Sequence, residues 1–320
     1  MHARSTALIF GAGSVGRGFL GQLFSESGYE VVFVDVDDPL IEALRQRGSY
    51  TLRLAGIDRV EELTIGPVSA VDGRQVEQVA AEVAQASLMA TAVGARALPI
   101  IAKGMAAGLA KRWQAGVDAP LNVILCENLH DAPELLRRYV GEALPPDQQP
   151  LLSRVGFVPA VIARMSPVPT PEQRVADPSL IVAEPYKVLP VDREAFVGDI
   201  PQIVGMEAVA PFTAYVERKL YIHNAAHAML AYLGYRRGYE YGYEALEDPK
   251  VRDLVDQALG ESSRALIAEH GMDAQALQAH VRDLLARFAN RALADPIDRL
   301  ARDPLRKLKP DDRLVGAARL

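Results

Sequence analysis

Residues 7–35 read ALIFGAGSVGRGFLGQLFSESGYEVVFVD, and the order of their patterns settles the fold class. The apolar run 7–10 has strand length. It enters Gly11-Ala12-Gly13-Ser14-Val15-Gly16-Arg17-Gly18, then a helical pattern of Phe19, Leu20, Leu23 and Phe24 closed by Gly28. A second apolar run, 31–34, stops at Asp35. Strand, G-x-G-x-x-G, helix, strand and an acidic residue about 20 positions on form the complete context of a dinucleotide-binding βαβ unit. Gly11 permits the tight turn, Gly13 lets a pyrophosphate approach the backbone, and Gly16 lets the helix pack against the strand. The phosphates meet the N–H groups of the helix start, around Ser14 and Val15. Asp35 is placed to accept ribose hydroxyls and its charge repels a 2′-phosphate, so the expected cofactor is NAD and not NADP. Arg17 stands beside the pyrophosphate or is an ordinary surface arginine of a first helical turn; the pattern admits both.

Downstream, the section 50–86 is less regular, with a strand at 50–54 and a helix at 73–85. A buried strand over 87–93 ends in Thr91-Ala92-Val93-Gly94, small residues at the edge where open α/β sheets bind ligands, which makes Thr91, Ala92 and Val93 candidate cofactor contacts. A helix over 98–115 leads to a strand at 121–125 that delivers Cys126-Glu127-Asn128 to the same edge. Asn128 either faces the cofactor crevice or caps the next turn. Further strands are predicted at 157–165 and 180–188, the second returning beside the sheet, with the proline-rich stretch from Ser166 to Pro171 a loop between them. The expected class is therefore α/β, a Rossmann-type doubly wound sheet.

Size and composition narrow the function. A chain of 320 residues is long enough for two domains. Its net charge of −6 argues against nucleic acid or an anionic membrane as the main partner. The single cysteine, Cys126, excludes an internal disulfide framework and a multi-cysteine zinc site, and fits a reducing compartment. Arg96, Lys103 and Lys111 interrupt the most apolar region well short of the roughly 18 residues of a membrane span. At the N-terminus the apolar residues run straight into the glycine loop, so no targeting segment is expected and the protein is placed in the cytoplasm.

Beyond residue 200 the patterns become helical, so the expected division is a domain at 1–200 and a mainly α-helical domain at 201–320, with the active site in the cleft between them. The first helix, 212–234, reads FTAYVERKLYIHNAAHAMLAYLG, with Gly234 as its stop. It is apolar nearly all round and yet carries Lys219, Asn224 and His227, whose burial is costly unless they find partners. At about 100° per residue, His227 falls near 80° and Asn224 near 140° from Lys219, a broad arc suited to the wall of a cleft. The trio also fits three satisfied polar residues of a packed helix; the dinucleotide fingerprint and Asn128 tip the balance toward a site. Two more helices are predicted, at 249–270 and 273–289.

With Gly11 to Phe19, Thr91 to Gly94, Cys126-Glu127-Asn128, Gly156-Phe157-Val158 and above all Val216-Glu217-Arg218-Lys219-Leu220 together with KxxxxNxxH from Lys219 to His227, the chain resembles the long-chain polyol dehydrogenases of the mannitol dehydrogenase family. The likeness is greatest to bacterial members acting on mannitol 1-phosphate, and it spans almost the whole chain. It implies metal-independent, NAD-linked interconversion of a secondary alcohol and a ketone, first of all mannitol 1-phosphate and fructose 6-phosphate. A free polyol or a hexuronate is the alternative substrate, and a catalytically silent NAD-binding protein is a third reading. By the same resemblance Lys219 is the general acid/base, Asn224 and Asn128 bond the reacting oxygen, and His227 orients substrate hydroxyls. A lysine can act as a base near neutral pH only when burial or positive neighbours lower its pKa, which the apolar helix supports. Arg306, Lys307, Lys309 and Arg313 form a basic cluster in an acidic protein. They either recognise the sugar phosphate, Arg306 and Lys307 first, or pair on the surface with Asp303, Asp311 and Asp312. Two departures from the family pattern are the end at Leu320, soon after Asp312-Arg313-Leu314, and the absence of a tryptophan in the stretch 184–188. A monomer or homodimer acting on a small molecule is the expected form.

Overall fold

The computed structural model describes residues 5–129, 131–167 and 169–320. Arg4 and the residues before it, part of the stretch read for a targeting signal, and Val168 of the proline-rich loop lie outside the described residues. By compactness the chain divides into one unit of residues 1–54 and 61–210 and another of 55–60 and 211–320.

The first unit opens with β1 (Thr6–Phe10), a π-turn (Gly16–Leu20) running into α1 (Gly21–Glu26), β2 (Glu30–Asp35) and α2 (Asp38–Arg47). Then come β3 (Tyr50–Ala55), β4 (Val60–Ile65), β5 (Val68–Asp72), α3 (Val76–Gln85), β6 (Leu88–Thr91), α4 (Leu98–Gln114), β7 (Leu121–Leu125), α5 (Ala132–Ala143) and β8 (Val155–Pro159). Six of these strands form a parallel sheet in the order β5-β2-β1-β6-β7-β8, the doubly wound order of a Rossmann fold. Alternation along the strands builds a core on each face. Ala7 and Ile9 of β1 pack with Leu23, Phe24 and Leu44 of α1 and α2, while Leu8 and Phe10 pack with Val79, Met105 and Leu136 of α3, α4 and α5. The strand order reverses between β1 and β6, which puts the ligand crevice of such a sheet outside their carboxyl ends, where Gly11 and Ala92 follow.

Several expectations are corrected. The strand predicted at 157–165 ends at Pro159. The stretch 180–188 does not return beside the main sheet: β9 (Ile181–Ala183), which follows α6 (Pro171–Ala176), joins β3 and β4 in a separate three-stranded sheet. β10 (Leu189–Asp192) and β11 (Met206–Val209) pair parallel with each other. β5 was not foreseen at all, although it closes one edge of the main sheet.

The second unit is helical: α7 (Phe212–Arg218), a π-turn (Lys219–Asn224), α8 (Ala225–Arg237), α9 (Gly242–Glu247), α10 (Pro249–His270), α11 (Ala274–Phe288), α12 (Ile297–Leu300), α13 (Pro304–Lys307) and α14 (Val315–Arg319). Gly234 does not end α8. The helix runs on to Arg237, and Gly238, at φ 78°, is the left-handed cap. Gly234 serves packing instead, because a Cβ there would meet Ala245 Cβ at 2.8 Å and Ile297 Cδ1 at 2.5 Å. Within this unit Asn290 Nδ2 donates to the carbonyl of Ala55 at 2.8 Å, tying the segment 55–60 to the end of α11. Among the described residues no helix is long and apolar enough to cross a membrane.

Candidate active site

The glycine loop is built as a cradle. Gly11 sits at φ +96° with its N–H donated to Val34 O at 2.8 Å, and a Cβ there would strike the carbonyl of Ala92. A Cβ on Gly16 would collide with the carbonyl of Gly11, so the loop can fold onto the helix start only with glycine at that place. Gly13 is exposed and its Cβ direction meets no atom within 4 Å, which leaves open backbone where a diphosphate can lie. Ser14 and Val15, half-buried, begin the helix beside it.

Asp35 ends β2 and is already organised. Its Oδ2 accepts from Ala12 N at 2.6 Å, and its Oδ1 accepts from Val36 N at 2.7 Å and Asp37 N at 3.1 Å. A carboxylate has about four acceptor positions, so these three bonds leave room for a ribose hydroxyl. Open backbone at Gly13 and an oriented carboxylate at Asp35 fit the diphosphate and ribose of a dinucleotide. Arg17 is a correction. It is 7% exposed, and its guanidinium is given to the carbonyls of Ala12 and Ser179, with Pro178 and Leu180 at 3.4 Å. It is no surface arginine, and it clamps the glycine loop to the segment before β9.

At the ends of β6 and β7 the organising group is Glu127, which sequence reasoning passed over in favour of its neighbour. Its Oε2 accepts from Thr91 Oγ1 at 2.6 Å and its Oε1 from Val93 N at 3.1 Å, while Cys126 N donates to Thr91 O at 2.9 Å. Burial pushes this carboxyl up, and the Thr91 and Val93 bonds oppose that rise. Thr91 is wholly buried with its hydroxyl donated to Glu127, so its side chain shapes the edge; Ala92 and Val93, half-buried, follow. Burial pushes the Cys126 thiol well up, with the Glu127 charge adding to it, which disfavours the reactive thiolate. Asn128 is exposed where the chain leaves the strand. The available signal for Glu127 was a carboxylate between an apolar strand and Asn128, where burial requires donors.

In the second unit the helix is α-helical up to Arg218 and again from Ala225, with the π-turn between. There Ala225 N donates to the carbonyl of Leu220, five residues back. A π-turn is an uncommon insertion often found at functional sites. The wheel drawn at 100° per residue is therefore wrong across the stretch that matters, and the broad arc is not the true placement. Asn224 and His223 are buried at 7% and 6% exposed, while Lys219 and His227 are half-buried.

The electrostatics are strongly one-sided. Burial first, then the charges of Arg313 and Arg306, bring Lys219 down to about 8, against a smaller opposing pull from Asp312. Burial and then Arg299, Lys219, Arg287 and Arg313 hold His227 well below its usual range, so its imidazole is neutral. Lys219, His227 and the arginines thus form one electropositive neighbourhood, in which the part of Arg313, Arg299 and Arg287 was not anticipated.

The predicted basic cluster separates. Arg306 Nε pairs with Asp303 at 2.6 Å and its Nη1 with Asp312 at 3.4 Å, while Arg313 Nε pairs with Asp312 at 2.7 Å. Lys307 is 5% exposed, donates to the carbonyl of Leu300 and lies 5.6 Å over the ring of Tyr232. It is a strut of the C-terminal segment, a correction to its expected role at a phosphate. No three His, Cys, Asp or Glu side chains are grouped to hold a metal among the described residues.

Against known proteins, the profile of the mannitol dehydrogenase Rossmann domain matches residues 5–205 and that of the mannitol dehydrogenase C-terminal domain matches 212–320. Mannitol-1-phosphate 5-dehydrogenase of Geobacillus thermodenitrificans is 40% identical over 314 residues, covering 98% of this chain and 80% of that protein. The enzyme of the same name from Bacillus licheniformis is 40% identical over 315 residues, covering 98% and 82%. In structure, Pseudomonas fluorescens mannitol 2-dehydrogenase in ternary complex with NAD and D-mannitol aligns with a TM-score of 0.72 at 18% identity, over 93% of this chain and 71% of that one. A substrate-free D-sorbitol dehydrogenase aligns with a TM-score of 0.82 at 18% identity, over 99% and 76%. At that identity the two structures speak for the fold alone.

Proposed function

Because the chain belongs to the mannitol dehydrogenase family of oxidoreductases, we propose that it interconverts a polyol phosphate and the corresponding ketose phosphate with NAD, taking mannitol 1-phosphate and fructose 6-phosphate as its pair. The substrate follows the names of the relatives at 40% identity. The observation that carries the chemistry is Lys219, set at about 8 by burial and by two arginines. An amine titrating there is neutral in roughly a tenth of the molecules at pH 7 and can take the hydroxyl proton of a carbinol as the C–H bond gives up its hydride. Bound NAD supplies the hydride acceptor.

The remaining roles belong to side chains of this chain. Asn224, buried at the end of the π-turn, donates its amide to the oxygen that gains negative charge, a type of contact worth about 3 kcal/mol in the transition state. Asn128 is the second amide assigned to that oxygen. His227, neutral, offers one donor and one acceptor to neighbouring hydroxyls. Arg306 and Arg313, which already reach Lys219 electrostatically, take the phosphate. Asp35 selects NAD over NADP, and a cytoplasmic setting suits the single buried thiol.

Steady-state reduction of fructose 6-phosphate, fructose, fructuronate and tagaturonate with NADH tests the substrate. A large advantage in kcat/KM for the phosphorylated ketose is expected; equal efficiency for fructose, or preference for a hexuronate, removes the phosphate from the reading. Loss of NADH oxidation in Lys219→Ala, with cofactor binding retained, is expected if the lysine carries the proton.

A further inference from the structure

His227 is held by two rings that the reaction does not otherwise need. Its imidazole lies flat on Phe288, with ring centroids 3.9 Å apart and planes 16° from parallel. His223 meets both edge-on, 4.8 Å from His227 at 89° and 5.3 Å from Phe288 at 85°. We propose that Phe288 is a positioning residue that fixes the plane of the His227 ring, with His223 closing its edge, and so sets which substrate hydroxyls that imidazole can reach. The inference rests on the role given to His227 above.

Three observations support it. First, the second side-chain torsion of histidine is broad and roughly two-fold, so nothing in the residue itself fixes the ring plane. A flat aromatic neighbour fixes it by contact over the whole face. Second, Phe288 cannot follow the imidazole if it turns. It is 6% exposed and ends α11, and two residues on Asn290 is pinned through its Nδ2 to Ala55 O at 2.8 Å and through its Oδ1 from Ala292 N at 3.0 Å. Third, His223 is 6% exposed and its Nδ1 has no hydrogen-bond partner among the described residues. A buried polar ring atom without a partner is unfavourable, so hydrogen bonding through Nδ1 does not explain this ring, whereas edge packing against the other two does.

The test is a double-mutant cycle on kcat/KM for fructose 6-phosphate, using Phe288→Leu and His227→Ala. Leucine fills most of the space without offering a flat face. Phe288→Leu alone is expected to lower kcat/KM roughly five- to tenfold, mostly in kcat, and to cost less than about twofold in the His227→Ala background. The same loss in both backgrounds, or no loss in either, overturns the proposal. If His227→Ala by itself leaves kcat/KM unchanged, the role given to His227 fails along with this inference, an outcome the single variant makes distinct. A readout free of turnover keeps the test open should activity fall for another reason. The ring-proton resonances of His227, assigned by its absence in His227→Ala, are expected to lie upfield in the wild type through the Phe288 ring current and to return toward ordinary positions in Phe288→Leu. Unmoved resonances overturn the stack.

Discussion

Replacing Lys219 with methionine is expected to abolish turnover and at the same time to stabilise the protein at neutral pH. An unfolded lysine titrates near 10.5, whereas in the fold burial and the charges of Arg313 and Arg306 bring Lys219 to about 8. Between those values the unfolded chain holds a proton that the folded chain has released, so stability rises with pH across that window. The penalty is full below pH about 8 and gone above about 10.5. A difference of 10.5 − 8, about 2.5 units at about 1.36 kcal/mol each, is about 3.4 kcal/mol. Part of the side chain still meets solvent and the ammonium's own polar contacts are forfeited in the variant, so the net gain expected at pH 7 is about 1–2 kcal/mol. The same shift makes the neutral amine roughly 300-fold more abundant at pH 7 than in an ordinary lysine.

Urea denaturation of wild type and Lys219→Met, followed by far-UV circular dichroism at pH 7 and pH 10, measures the effect, with NADH fluorescence confirming that the variant binds cofactor. The variant is expected to be the more stable at pH 7, and its advantage to shrink to about a quarter by pH 10. A variant less stable than wild type at pH 7, or an advantage unchanged at pH 10, refutes the account of Lys219 as a base tuned by burial and positive neighbours.

Asp35→Ala should lower kcat/KM with NADH roughly 10- to 100-fold by removing a charged acceptor and narrow the gap to NADPH; efficient use of NADPH by the wild type would sink the assignment. Glu127→Ala leaves Thr91 Oγ1 and Val93 N without their acceptor, so a stability loss of about 2–3 kcal/mol is expected by chemical denaturation, and an unchanged midpoint would show that the edge of β6 does not depend on it. Lys307→Met should leave KM for fructose 6-phosphate within about twofold, since its ammonium is spent on Leu300 O; a tenfold rise would return Lys307 to the phosphate. Arg313→Met should move the acidic limb of the kcat/KM profile for alcohol oxidation upward by about half a unit to one unit, because the larger of the two arginine charges holding Lys219 down is gone; a profile that stays in place contradicts that neighbourhood.

What was legible in the sequence was local chemistry with a fixed spacing. The glycine loop, Asp35 and the strands on either side lie within 29 consecutive residues, 7–35, and each position there is constrained by its own backbone. What was not legible depends on partners far along the chain. Leu52 pairs with Ile181, so neither stretch shows by itself that it belongs to a separate sheet. The burial of Arg17 comes from carbonyls at 178–180, and its appearance as an exposed helix-start arginine could not be corrected without them. Gly234 has the composition of a helix stop, and only the approach of Ile297 and Ala245 shows why glycine stands inside α8. The π-turn at Lys219 leaves no mark in the order of residues, which is why the helical wheel misplaces the polar trio.

One set of charges serves two ends in the second unit. Arg313 and Arg306 disfavour the ammonium form of Lys219, and both also hold Asp312, whose carboxylate pulls the other way. On the reading proposed above, a phosphate bound by these arginines competes with Asp312 for them and adds negative charge beside the amine. Both changes raise the pKa of Lys219. In the free enzyme roughly a tenth of the amine is neutral at pH 7, available to accept a proton, while a bound ketose phosphate holds the same residue in its protonated form to higher pH, as the acid that carbonyl reduction requires. A ketose without phosphate leaves the arginines uncompensated, so the ammonium form of Lys219 is lost at lower pH. The phosphate therefore contributes to the protonation state of the catalytic lysine as well as to affinity, and its absence should move the basic limb of the reductive pH profile to lower pH as well as raise KM.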